Sequence, residues 1–319
     1  MRIRSVVALV AVLSLAACSG DTGPLSTDVL PDQPAVTQTA PPAETAPAPN
    51  CNPRASLRPA GSLPAPGDMP AGSYMETIRK RGRLVLGTSQ DTLLFSSRNP
   101  FTGKIEGFDV DMGRQIAEAI FGDADKIQIK VIAYDKRVSS AADGSVDIVA
   151  DTMTANCDRW QDVNFSSIYY EAGQKVLVSS SSKAKRIEDL GGQKVCSAAG
   201  STSYENIGKV KSSKPVIGVA KPAFGDCLVA FQRNEVQGIS TDDTILAGMA
   251  SQDPYAKVIG PRFTEEPYAM AMSQAHPEFA RFVNAVLARN RADGTWKKTY
   301  DKWLGDFGAA PEPPKAQYQ

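Results

Sequence analysis

Residues 127–150 read IQIKVIAYDKRVSSAADGSVDIVA. The β-branched, alternating opening predicts a strand over 127–133. A helix to Asp143 follows, Gly144 supplies a turn, and Val146 to Ala150 is an apolar run of a length that suits a buried strand. Working outward, Tyr74 to Arg81 predicts a short helix and Arg83 to Gly87 a strand. Asp109 to Phe121 predicts an amphipathic helix with Val110, Ile116 and Ile120 among its apolar positions. The resulting β-α-β-α-β order implies a mainly parallel sheet with helices on both faces. The alternation returns from Lys194, with strands at 194–198, 216–219 and 236–239 and helices at 202–209 and 223–233. A helix from Pro277 to Asp293 and a second through Trp303 follow, separated by Gly294. Sheets of this kind bind ligands at the carboxyl ends of their strands, so two facing α/β bodies would enclose a cleft.

The chain has 319 residues, enough for two lobes and a tail. Basic and acidic residues balance at 35 each, so nothing implies a nucleic-acid partner or a general attraction to anionic lipid. The one histidine, His276, lies directly before Pro277, which leaves a Ser–His–Asp hydrolase or a histidine-rich metal site poorly served. Neither a metal nor another cofactor is called for. At the N-terminus, Arg2 and Arg4 precede an apolar run from Val6 to Leu15 that is too short to span a bilayer. Leu15-Ala16-Ala17-Cys18 then reads as a lipobox, which makes residues 1–17 a signal peptide and Cys18 the lipidated N-terminus on the outer face of the cell membrane. Cys51, Cys157, Cys196 and Cys227 remain, an even number that in an exported chain implies two disulfides with three possible pairings. Residues 21–70 hold 12 of the 22 prolines and almost no aliphatic periodicity, so residues 18–72 are expected to form a tether. A docked arm over 51–70, pinned at Cys51, is the alternative.

Six segments carry a resemblance. They are Gly107-Phe108-Asp109-Val110-Asp111; Val146-Asp147-Ile148-Val149; Thr152-Met153-Thr154 running on to Arg159; Asn164-Phe165-Ser166 before Tyr169-Tyr170; Ser240-Thr241-Asp242-Asp243; and Asp293-Gly294-Thr295 before Lys302-Trp303. Over about residues 73–305 the chain resembles solute-binding proteins of the polar amino acid type, above all the glutamate/glutamine-binding lipoproteins of actinobacteria. The resemblance implies an α/β, two-lobed periplasmic-binding-protein type II fold: two mixed or parallel sheets flanked by helices, with a ligand cleft between the lobes. The large lobe would comprise 73–168 plus 268–305 and the small lobe 174–264, with 306–319 a C-terminal tail. The implied function is capture of a free amino acid of the glutamate, glutamine, aspartate or asparagine class for an ABC permease. The alternatives are a sensor acting through a membrane protein and a same-fold dehydratase or lyase drafting Asp242 or Asp151 as acid/base.

An amino acid presents a carboxylate and an ammonium, and both need partners once water is excluded. By resemblance Arg159 holds the carboxylate, since a guanidinium offers two parallel donors. Thr154 would add a hydroxyl and a backbone N–H. Thr152, where the family often has glycine, would offer a carbonyl to the ammonium. Asp242 would meet the ammonium from the opposite lobe, with Asp243 the alternative and one of the two a helix cap. Gly200-Ser201-Thr202-Ser203 opens a helix whose N–H groups suit a carboxylate, although capping alone would also explain Ser201. Tyr134 and Phe95 are candidate pocket walls; core packing is their other reading. Ser89 stands where relatives commonly carry an acid, which Gln90 or Asp91 could replace, and Ala198 stands where a lysine is common. With the lobes so divided, Cys196–Cys227 would lie inside the small lobe and leave the hinge free. Cys51–Cys157 would fasten the tether's end to the large lobe.

Overall fold

Two five-stranded sheets organise residues 51–319, the part of the chain described by the computed structural model. The signal segment, Cys18 and residues 19–50 lie outside the described residues. The large-lobe sheet runs in the order Ile127–Val131, Leu84–Thr88, Ile148–Val149, Ala271–Ser273, Val163–Phe165. Its first three strands are parallel, and Ala271–Ser273 is antiparallel to both of its neighbours. The small-lobe sheet repeats the plan: Ile217–Lys221, Lys194–Ala198 and Gly238–Asp242 are parallel, and Gln174–Ser179 and Ala256–Ile259 follow antiparallel.

Helix Phe108–Phe121 carries Phe108, Met112, Ile116 and Ile120 on one face, and all four are fully buried. This four-residue repeat turns a single apolar stripe onto the sheet. Helices Pro277–Ala292 and Thr295–Leu304 complete that layer, where Phe108 meets the buried Trp296 edge-on. In the small lobe, helix Phe224–Gln232 is bonded to strand Lys194–Ala198 through Cys196–Cys227, whose Cα atoms lie 5.6 Å apart. The lobes are joined by two antiparallel strands, Tyr170–Ala172 and Glu266–Tyr268, with Tyr170 opposite Tyr268.

Residues 51–72 depart from the tether reading and correct its boundary. Cys51 is bonded to Cys157 with Cα atoms 5.9 Å apart, and Ala55–Ser56 pairs in parallel with Gln317–Tyr318. Ser56 is buried, donating to the Phe165 carbonyl at 2.6 Å, and Met69 is buried in the large-lobe core with Leu57 and Leu63 beside it. The composition sum hides these few anchoring residues, each too isolated to create a period. The end of the C-terminal segment is likewise a paired strand and not a free tail.

Candidate functional site

The site residues come from segments that leave the two sheets at their carboxyl ends. Arg159 opens a single 3-10 turn, Arg159–Gln161, and its backbone N–H donates to Asn156 Oδ1 at 2.9 Å. Its guanidinium donates from Nη1 to the Thr154 carbonyl at 2.8 Å and from Nη2 to the Gly200 carbonyl of the small lobe at 3.2 Å. Both contacts are to neutral oxygens, so its charge is unpaired among the described residues. Burial and the neighbouring Arg137 cation lower its pKa to about 10, against the pull of Glu205, Glu266 and Asp242.

Arg137 was not foreseen. It is 3% exposed and lies in helix Arg137–Ala142, whose Ser140 and Ala141 are also buried. Its guanidinium spans carbonyls: Tyr134 at 3.0 Å, Asp151 at 2.9 Å, Thr152 at 3.4 Å and Gly200 at 3.4 Å. It also covers the Tyr134 ring, with 4.6 Å to the centroid. The available signal was its place three and four positions before Ser140 and Ala141, on the face that a helix turns inward.

Thr152 sits in the left-handed region at φ 42°, a conformation that glycine adopts most easily. The turn is held by Asp109 in helix Phe108–Phe121, whose Oδ2 accepts the Thr152 N–H at 2.7 Å and whose Oδ1 accepts the Tyr169 hydroxyl at 2.6 Å. Burial raises the Asp109 carboxyl to about 7. Thr154 bridges to Tyr268, and its hydroxyl donates to Glu266 Oε2 at 2.6 Å. Glu266, buried in the second crossing strand, also accepts from Thr202 of the small lobe at 2.8 Å and from Asn206 at 3.2 Å. This interlobe carboxylate was missed, although it falls between the expected end of the small lobe at 264 and the return to the large lobe at 268.

Asp242 ends strand Gly238–Asp242 and occupies the N-cap position of helix Asp243–Ala250 without a capping side-chain bond. It accepts the Tyr268 hydroxyl, and burial with Glu266 nearby holds its carboxyl well above the usual range. Asp243 turns away: its Oδ2 accepts from Arg262 at 2.6 Å and its Oδ1 from the Thr244 N–H at 3.0 Å. Of the adjacent pair, Asp242 faces the crossing and Asp243 braces the small lobe.

Tyr134 reaches across the cleft to meet Phe224 edge-on at 4.9 Å. Phe95 does not line the cleft; it is fully buried among Phe108, Tyr170 and Tyr268 in the large-lobe core. Ser201 serves the backbone, accepting the Tyr204 N–H at 3.1 Å and donating to the Ala198 carbonyl at 2.6 Å. At the position of the missing acid, Ser89 donates its N–H to Asp151 Oδ1 at 3.0 Å. Neither following residue replaces that acid. Gln90 binds Arg98 on the exterior, and Asp91 accepts the Gly225 N–H of the small lobe at 2.7 Å.

Gly200 sets how closely the lobes approach. At φ 72°, a Cβ there would lie 2.6 Å from Asp135 Cα in the opposite lobe, well inside contact distance. The cleft thus brings two cations and a carbonyl against carboxylates from the other side, a donor and acceptor set suited to a zwitterion.

The chain is 36% identical over 231 residues to the ABC transporter glutamine-binding protein of Bacillus subtilis, covering 72% of this chain and 84% of that one. It is 29% identical over 240 residues to the glutamate-binding protein of Corynebacterium glutamicum, covering 71% and 80%. Among solved structures, an ancestral arginine-binding protein bound to arginine superposes with a TM-score of 0.65 at 30% identity, covering 70% of this chain and 99% of that one. The cysteine-binding protein from Campylobacter jejuni shares the fold, with a TM-score of 0.70 at 21% identity and coverage of 74% and 95%. These are type II periplasmic binding folds. Residues 84–306 match the model of the bacterial extracellular solute-binding proteins, family 3, and this chain belongs to that family.

Proposed function

We propose that the chain is an extracytoplasmic binding protein, anchored at Cys18, that closes on a polar amino acid of the glutamate, glutamine, aspartate or asparagine class and delivers it unchanged to an ABC importer. One observation carries the reading. The Arg159 guanidinium, unpaired with any carboxylate among the described residues, lies at the lobe junction opposite the buried carboxylate of Asp242. An α-carboxylate would take over the carbonyl contacts of Arg159, and an α-ammonium would offset the burial that raises Asp242. Thr152 and Thr154 supply the large-lobe backbone of the shell, and Tyr134 supplies its aromatic wall. The relatives named for glutamine and glutamate support the ligand class. Ligand contacts made only with the lobes together shift the population toward the closed form. Isothermal calorimetry across the twenty amino acids tests the reading directly. Arg159→Ala is expected to weaken binding by about 3–5 kcal/mol, since it leaves a ligand carboxylate buried without its partner. Unchanged affinity would reject the assignment.

A further inference from the structure

Three side-chain oxygens among the described residues are buried without any hydrogen-bond partner: Thr88 Oγ1, Asp151 Oδ2 and Thr152 Oγ1. All three lie at one place in the fold. Strand Leu84–Thr88 runs parallel to Ile148–Val149 with Gly87 opposite Val149, so Thr88 and Asp151 leave the sheet side by side at its carboxyl edge. Arg137 ties the Asp151 and Thr152 carbonyls to the same guanidinium that reaches Gly200 across the cleft. Buried polar atoms are nearly always paired, so three orphans at a ligand-binding edge mark groups that await a partner.

Asp151 is the most demanding of them. It is fully buried, and its Oδ1 is served by the Ser89 N–H at 3.0 Å and the Ser96 hydroxyl at 3.5 Å. Its Oδ2 receives nothing. Burial raises its pKa against the pull of the Arg137 cation and the Ser89 bonds, and in the carboxylate form it can only accept, so the partner that would hold it in that form is a donor. Arg137 does not fill the role, because its N–H groups are directed at carbonyls. The ligand ammonium is already assigned to Asp242 in the other lobe. What remains is the ligand side chain. A carboxamide brings two N–H donors and one acceptor, and the hydroxyls of Thr88 and Thr152 can rotate to serve either end. A second carboxylate brings only acceptors and a like charge.

We propose that Asp151 is a specificity-determining residue whose free oxygen accepts from a side-chain amide, so that the site selects glutamine and asparagine over glutamate and aspartate. The inference rests on the function proposed above and narrows its ligand class. Calorimetry with these four amino acids tests it on the wild-type protein, Asp151→Asn and Asp151→Ala. The wild type is expected to favour the amides by more than about tenfold, as sites built around a buried hydrogen bond do. Asp151→Asn can turn an N–H toward the ligand and is expected to bring the amide-to-acid ratio down to about one or below. Asp151→Ala should lose amide affinity while changing acid affinity less. A wild-type ratio near one overturns the inference even if no variant folds. So does a ratio unmoved in Asp151→Asn, the result expected if a buried water satisfies the three oxygens. Binding of none of the four amino acids would instead overturn the proposed function, and this inference with it.

Discussion

The two walls of the cleft are built on the same sheet plan and equipped differently. The large-lobe wall presents side chains: Arg137, Arg159 and Asp151, each bonded within its own lobe, and Tyr134. The small-lobe wall presents mainly backbone, the Gly200 carbonyl and the Gly225 N–H, with Asp242 as its principal carboxyl group. The difference teaches a division of labour. A wall of prearranged side chains can hold a ligand before closure, whereas a wall of backbone groups can be brought up to it afterwards with little side-chain ordering.

This contrast can be broken most directly by comparing one residue from each wall. Arg159→Ala should cost more binding energy than Asp242→Ala, for which a loss of about 2–5 kcal/mol is expected on removing one half of a buried charge pair. Equal losses, measured by calorimetry, would mean that both walls grip alike. A second comparison concerns rigidity within the backbone wall. Breaking Cys196–Cys227 with paired serines should lower unfolding free energy by about 2–4 kcal/mol in denaturant titrations. Ligand affinity should be retained, because both cysteines lie inside one lobe.

Smaller effects sharpen the picture of closure. Gly200→Ala places a methyl group against Asp135 and should weaken affinity by roughly tenfold. The melting temperature of the ligand-free protein should change little if the lobes can part, and scanning calorimetry with and without ligand separates the two cases. Asp91 lends its carboxylate to helix Phe224–Gln232, whose own N-cap, Ala223, offers no side-chain bond. Asp91→Ala should therefore raise the ligand dissociation rate by about fivefold, the worth of one helix cap. Stopped-flow kinetics would show it; an unaltered rate would make the contact incidental.

Stability against pH offers a test of a different kind. Burial raises the Asp109 carboxyl from 3.8 to about 7, so the folded chain holds that proton more tightly than the unfolded one. The stability it contributes is fully present below about pH 4 and is lost as pH rises through 7. Asp109→Asn should flatten the slope of unfolding free energy over that window by less than one proton. A slope that stays the same would place the titration on another buried carboxyl.

Much of this was legible in the sequence, for physical reasons that also explain what was not. Strands such as Lys194–Ala198 and helices such as Phe108–Phe121 declare themselves because a period of two or of 3.6 is long enough to count. The antiparallel strands Val163–Phe165 and Ala271–Ser273 are three residues each, too short for any period to emerge. Arg159 and Asp242 were reached through the motifs and Tyr134 as a candidate wall; Arg159 bonds Gly200 of the small lobe, Asp242 bonds Tyr268, and Tyr134 meets Phe224. Phe95 followed the same logic into the wrong environment: a loop position after a strand does not reveal which way a ring turns. Arg137 and Glu266 escaped because a charged residue in a short helix or crossing strand reads as solvated until tertiary contacts enclose it.

The docked arm gives the molecule a mechanical property. Arg54 pairs with Glu171 on the first crossing strand and with Glu265 at 2.9 Å, next to the second. A pull transmitted through Cys51 therefore meets the body beside its pivot, where the moment arm for prising the lobes apart is short. A load applied at Cys51 would then move both lobes together instead of turning one against the other.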